Sequence, residues 1–281
     1  MSKRIKMILT AALVFIILIA AVFFIRNLLN YYQGNNSYEE ALEITQNNAP
    51  NPSIEPKTSI DPLPDITPLP TDPPKVWIPA PIDNDDPIIA ELEHKDISGL
   101  QQINKDVVGW IFIPDTKINY PIVHGENNEF YLEHTWKKQK NRMGSVFIEC
   151  ENTSDFTEWN TIIYAHNMKN GSMFGSLKKY KDQEYFEDHP YVYIAVNGGV
   201  LRYEIFSAYT ADVDSQTFGL SYHQIKTRKK LLDLAMEKSV IDTGVIPEVT
   251  DQIITLSTCS GETYETRQVI HARLPMIQIE E

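Results

Sequence analysis

Cysteine is nearly absent: the 281 residues hold two, Cys150 and Cys259. Two thiols cannot build the disulfide framework that holds small secreted domains together, so the fold must rest on an apolar core. Positive charge is also short. Twenty-five lysines and arginines face 38 aspartates and glutamates, a net −13, with about −9 of it on residues 88 to 281. Phosphate backbones are held by clustered cations, so nucleic acid is not an expected partner. No internal repeat and no metal-ligand spacing appears, and the seven histidines are scattered, so no metal or other cofactor is expected. Calcium would need an organised carboxylate set. The one acidic cluster, Asp83, Asp85 and Asp86, reads as solvating.

What is present is strongly segregated. Lys3, Arg4 and Lys6 precede nineteen residues, Met7 to Ile25, that carry no charge and only Thr10 as a polar interruption. A helix of that length, at about 1.5 Å per residue, just covers a hydrocarbon core of roughly 30 Å. A cleaved signal peptide is the rival, but its apolar region is normally shorter and ends in small residues. This one ends Phe23, Phe24, Ile25, Arg26. Residues 7–25 are therefore read as an uncleaved anchor of a single-pass plasma-membrane protein, with residues 1–6 cytoplasmic and everything after Arg26 outside the cell. Twelve of the seventeen prolines fall between Ala49 and Pro87. Proline fixes φ and lacks an amide donor, which favours extended polyproline II, so residues 26–87 are read as a solvated spacer lifting a catalytic domain, residues 88–281, off the bilayer.

Beyond Pro87, Ile89, Leu92, Ile97, Leu100 and Ile103 have the spacing of short amphipathic helices, broken near Asp96 or Gly99. Eight strand-like runs follow: "VVGWIFI", "INYPIV", "GSVFIE", "NTIIYA", "YVYIAV", "LRYEIFSAY", "QIITLST" and "RQVIHARL". They are rich in β-branched and aromatic residues and bounded by turn formers, and "NGG" at 197–199 reads as a tight hairpin. The fold class is mainly β, a small closed barrel or sandwich. A helix is expected between the sixth and seventh runs, with Ile225, Leu232, Ala235 and Met236 on one face and Lys226, Lys229 and Lys230 solvated on the other.

Three chemistry-bearing residues sit at run ends. Cys259 closes the seventh run, His166 follows the fourth, and Arg267 opens the eighth. A hairpin joining the last two runs would return Arg267 beside Cys259, and a barrel with the fourth run next to the seventh would add His166. A thiol near its ordinary pKa of about 8.5 is only a few per cent thiolate at neutral pH. Imidazole supplies a base that titrates near working pH, and a guanidinium holds negative charge developing on a carbonyl oxygen. The set suffices for thiol acyl transfer. Each member also has a structural explanation: a packed small hydrophobe or half of a disulfide for Cys259, a satisfied histidine, a surface ion pair. Alternation in "QIITLSTC" makes Ile254 and Leu256 the expected core pair and puts Cys259 on the other face with Ser257.

"TLSTC" followed by an arginine resembles the signature of the sortases, cysteine transpeptidases that attach proteins to Gram-positive cell walls. "VGWIFIPDTKINYPIV", "NEFYLEH", "NTIIYAHNMKNGSMFGSLKKY" and "YEIFSAY" resemble class B sortases in the same order, over roughly residues 88 to 278. The resemblance implies an eight-stranded sortase barrel with N-terminal helices and a helix inserted between strands six and seven. It implies Cys259 as nucleophile, His166 as general acid and base, Arg267 as the group that steadies the oxyanion or positions substrate, and Ser257 and Thr258 lining the substrate groove. The implied partners are secreted proteins bearing an Asn-Pro-x-Thr type sorting signal and an amine acceptor of peptidoglycan. Some relatives anchor haem-uptake proteins and others assemble pili; a purely hydrolytic thiol peptidase would use the same three residues. Ala165 stands where the family usually has glycine, and Cys150 where an aspartate is common. A Cys150–Cys259 disulfide would block the nucleophile, so both thiols are expected free.

Overall fold

The computed structural model describes residues 3–47, 76–82, 86–259 and 265–279. The chain opens with a 45-residue helix, α1 (Lys3–Asn47). After β1 (Val76–Pro79) come two short helices, α2 (Pro87–Glu93) and α3 (Ile97–Ile103). Asp96 ends the gap between them as the N-cap of α3, its carboxylate accepting from Gly99 N at 2.8 Å, so the expected break has a capping cause. Barrel strands follow: β2 (Val107–Phe112), β3 (Asn119–His124), β4 (Val146–Ile148) and β5 (Asn160–Tyr164). Next are α4 (Gln183–Asp188), β6 (Tyr191–Val196), β7 (Gly199–Asp212), α5 (Ile225–Lys238), β8 (Gln252–Cys259), β9 (Thr266–Leu274) and β10 (Met276–Ile279).

All eight expected runs are barrel strands, closed in the order β2-β3-β4-β5-β8-β9-β7-β6. Closure removes free edges, which a small β protein must otherwise protect. The hairpin at 197–199 joins β6 to β7, with Gly198 at φ +114° where a side chain would be strained. Two strands were not expected: β1 and β10 pair antiparallel outside the barrel, from Val76↔Ile279 to Pro79↔Met276.

The barrel interior is a cluster of fully buried side chains that includes Ile111, Ile122, Val146, Ile163, Ile254, Leu256 and Ile270. A second cluster lies on the outer side of β7, β8 and β9, where Leu231, Leu232 and Ala235 of α5 meet Trp159, Tyr209, Ile253 and Val269. One expectation changes here: the buried face of α5 is Leu231, Leu232 and Ala235, while Ile225 and Met236 are exposed. Strand β8 alternates as expected, with Ile254 and Leu256 in the barrel cluster and Ile253 in the outer one, but its outer face is covered too, so Ser257 is as buried as Leu256.

The spacer reading also changes at both of its described ends. Helix α1 runs on through residues 27–47 and docks on the barrel. Ser37, Tyr38, Ala41 and Thr45 are buried, Trp136 Nε1 donates to Ser37 O at 2.8 Å, and Asn141 Nδ2 donates to Asn30 O at 2.7 Å. The Tyr38 hydroxyl donates to the carbonyl of Gly144. Gly34 permits this approach, because a Cβ there would lie 2.6 Å from Met143 Sδ. At the far end, Asp86 is a structural group and not merely a solvated one: it caps α2 through Ile88 N, accepts from Tyr193 Oη at 2.8 Å and faces Arg202 at 3.6 Å. Asp83, Asp85 and most of the proline-rich stretch lie outside the described residues.

Candidate active site

The site follows from one parallel pairing. Strands β5 and β8 run side by side in the same direction, in register from Asn160↔Ile253 to Tyr164↔Ser257. Continuing that register two residues sets His166 level with Cys259, and the next contact, Ala165 N to Ser257 O at 3.3 Å, keeps the backbones together. Neighbouring strands lie about 4.8 Å apart. On the other side of β8, the antiparallel β9 places Arg267 directly across from Cys259. Three residues 93 and 8 positions apart in the chain thus occupy adjacent strand ends at one rim of the barrel.

A cavity of about 330 Å³ opens at this rim, lined by Asn128, Leu132, Phe147, Tyr164, Ala165, His166, Ser257, Thr258 and Arg267. Four of the five residues singled out from sequence therefore share one cavity wall. The fifth, Cys259, is placed by its backbone at the end of β8. His166 is half-buried, and its Nε2 lies 2.7 Å from Leu132 O. A carbonyl only accepts, so Nε2 carries a proton, and in the neutral ring the lone pair is on Nδ1. That tautomer leaves Nδ1 able to take a proton from a thiol or an amine. The residue behind the imidazole is Gly144, whose φ of +63° holds the Tyr131 and Leu132 carbonyls close by. Arg267 is half-buried and donates from Nη1 to Thr266 O at 3.1 Å. The Ser257 and Thr258 hydroxyls are buried and, among the described residues, have no hydrogen-bond partner.

Known proteins share this fold. The Sortase domain family matches residues 111–275. Sortase B of Listeria monocytogenes is 40% identical over 183 residues, 64% of this chain and 74% of its own length. The chain belongs to the sortases, class B. Sortase B of Staphylococcus aureus is 32% identical over 180 residues, again 64% of this chain and 74% of its own. Among solved structures, the S. aureus sortase B–substrate complex superposes with a TM-score of 0.60 at 31% identity, covering 66% of this chain and 85% of that one. Sortase B from B. anthracis in complex with AAEK1 reaches a TM-score of 0.65 at 30% identity, over 90% of this chain and 100% of that one. Sortases are cysteine transpeptidases, and this chain carries their eight-stranded barrel.

Several residues at the sortase site went unassigned in the sequence. Asn128 and Leu132 lie within "NEFYLEH", a stretch that carried the resemblance without a role attached to its members. Behind them sits Glu149, a buried carboxylate with no chemical signature in its own run. It accepts from Asn128 Nδ2 at 2.5 Å and from Tyr164 Oη at 3.0 Å, tying two walls of the cavity together. Burial, reinforced by this carboxylate, pushes the Tyr164 phenol far above its usual range, and the Arg267 guanidinium opposes the shift. Cys150 is a half-buried free thiol beside the same carboxylate, 3.4 Å from Glu149 Oε1. Burial and that neighbour raise its pKa, which disfavours the thiolate. Ala165, standing in place of a glycine, has no positive φ and packs in the core, so the substitution brings no backbone strain before His166.

Proposed function

We propose that this sortase cleaves a C-terminal sorting signal of the Asn-Pro-x-Thr type after threonine and transfers the protein to an amine of cell-wall peptidoglycan. The observation that carries the reading is the single cavity rim where His166 and Arg267 flank the strand end bearing Cys259. In this reading the Cys259 thiolate adds to the carbonyl carbon of the threonine, and the negative charge that builds on oxygen lies against Arg267. The intermediate collapses by breaking the C–N bond, and His166 delivers a proton to the departing amine. The resulting thioester divides one difficult exchange into two easier ones. An incoming amine, relieved of its proton by His166, attacks the thioester and expels the thiolate. Ser257 and Thr258 supply groove hydroxyls whose hydrogen-bonding capacity is unspent in the free enzyme.

The apolar span of α1 is read as the membrane anchor, with the basic residues before it in the cytoplasm and the barrel outside the cell. A sorting-peptide library and a panel of amines, incubated with the full-length protein and followed by mass spectrometry, test the reaction. The expected products are an amine-linked peptide and a trapped thioester on Cys259. Cleaved peptide without amine-linked product would instead mean a hydrolytic thiol peptidase. Cys259→Ala is expected to abolish turnover while leaving peptide binding within a few-fold of the parent.

A further inference from the structure

In a chain of net charge −13, the surface around the first turns of α1 beyond the apolar run is cationic. Arg142 donates from Nη1 to Asn27 Oδ1 at 3.4 Å and from its backbone N to Asn30 Oδ1 at 3.3 Å. Asn170 Nδ2 donates to the Tyr31 hydroxyl at 2.6 Å, and Lys117 Nζ donates to Asn170 O at 2.8 Å. Lys169 is the next residue back along the chain. Arg26, Lys117, Arg142 and Lys169 are all exposed. Asp115 lies in the turn of Lys117, and Glu129 and Glu133 share a cavity wall with Arg142, Glu133 being bridged to Lys140 at 3.6 Å. The acidic residues of α1 itself begin only at Glu39, roughly 18 Å along the helix from Asn27 at 1.5 Å per residue.

The height of this face is set by the helix. The apolar run ends at Ile25, and exposed Leu28, Leu29 and Tyr32 extend its greasy surface by two turns. Aromatic and basic residues at the end of an apolar span sit at headgroup level. The helix continues unbroken into the buried docking contacts of Ser37, Tyr38 and Trp136, so the barrel cannot swing away from that level. We propose that the face carrying Lys117, Arg142 and Lys169 is a contact surface for anionic lipid headgroups, which seats the catalytic body on the bilayer. The inference rests on reading α1 as the membrane span. Arg142 also belongs, with His166, to the wall of a second cavity of about 850 Å³, so the surface adjoins the catalytic base. Each basic residue near an anionic surface strengthens the contact by about fivefold.

The test uses the full-length protein in vesicles containing phosphatidylglycerol and a headgroup-attached quencher. A fluorophore is placed at Lys169→Cys or, as a control on α5, at Lys230→Cys, in a Cys150→Ser, Cys259→Ala background. The expected result is flotation of both proteins with the vesicles, strong quenching at 169 and little at 230. Quenching at 169 should fall several-fold in phosphatidylcholine vesicles and in the Lys117→Glu, Arg142→Glu variant. Flotation with label 169 no more quenched than label 230 would overturn the seating alone. Quenching indifferent to lipid charge and to the two substitutions would overturn headgroup recognition. Loss of flotation would overturn the membrane span, and this surface with it.

Discussion

Gly144 holds a φ of +63° behind the imidazole of His166, and a Cβ there would lie 2.7 Å from the Tyr131 and Leu132 carbonyl oxygens and 3.0 Å from His166 Cδ2. The carbonyl of Leu132 is the acceptor that fixes the histidine tautomer. Gly144→Ala is therefore expected to cost about 1–3 kcal/mol of stability, from backbone strain, and to lower kcat more than it raises KM. Urea unfolding and steady-state kinetics on one preparation check both halves. His271 makes a different demand. It is fully buried between β7 and β8, with Nε2 3.0 Å from Tyr209 Oη and Nδ1 3.0 Å from Thr255 Oγ1. Burial lowers its pKa to about 3, against 6.5 in an unfolded chain. The folded protein thus holds a neutral imidazole where the unfolded chain binds a proton. Its contribution is fully present above pH 6.5 and is lost as pH falls toward 3, on the order of 3–5 kcal/mol in all. Unfolding free energy measured between pH 7 and 4 should fall with a slope that His271→Gln largely removes.

Among the elements, the docked half of α1 governs the segment that supports His166. Residues 131–145 contribute both the Leu132 carbonyl and the contacts to α1 made by Trp136, Asn141 and Gly144. Trp136→Ala removes a fully buried ring and the bond to Ser37, a loss of about 3–5 kcal/mol of packing at this interface. Hydrogen exchange across residues 37–45 should then accelerate by orders of magnitude while the barrel strands stay protected, because elements unfold locally when their few anchors go. This docking was not legible in the sequence. "NLLNYYQGNNSYEEALEITQN" is polar, contains Gly34, and owes its place to side chains a hundred residues away, which no local window reports. The barrel strands were legible because each carries its own β-branched and aromatic residues between turn formers. Four-residue β1 and β10, which pair only with each other, carry too little pattern to be seen. At the candidate site, residue types alone left His166, Cys259 and Arg267 with structural readings, and it was the resemblance carried by "TLSTC" and the neighbouring motifs that singled them out. Leu132 acts through its backbone and Glu149 through burial, and neither property is written in the residue type.

For the molecule as a whole, the proline-rich stretch is bounded by fixed ends. Helix α1 is docked up to Thr45, and β1 is paired to β10 at the C-terminal side of the barrel. Its length therefore does not set the distance between barrel and apolar span. Doubling or halving residues 50–72 is expected to leave turnover of a membrane-tethered substrate within about twofold, since loop closure responds only weakly to length. A flexible insertion between Asn30 and Gly34, which uncouples span from barrel, should depress it strongly. Matched kinetics on tethered and free peptide substrates distinguish the two. An uninterrupted helix is a post and not a rope: it grants no slack. With α1 as the membrane anchor proposed above, whatever is to be joined must come down to meet the enzyme, and selection for reach then falls on the tails of its clients, not on the enzyme.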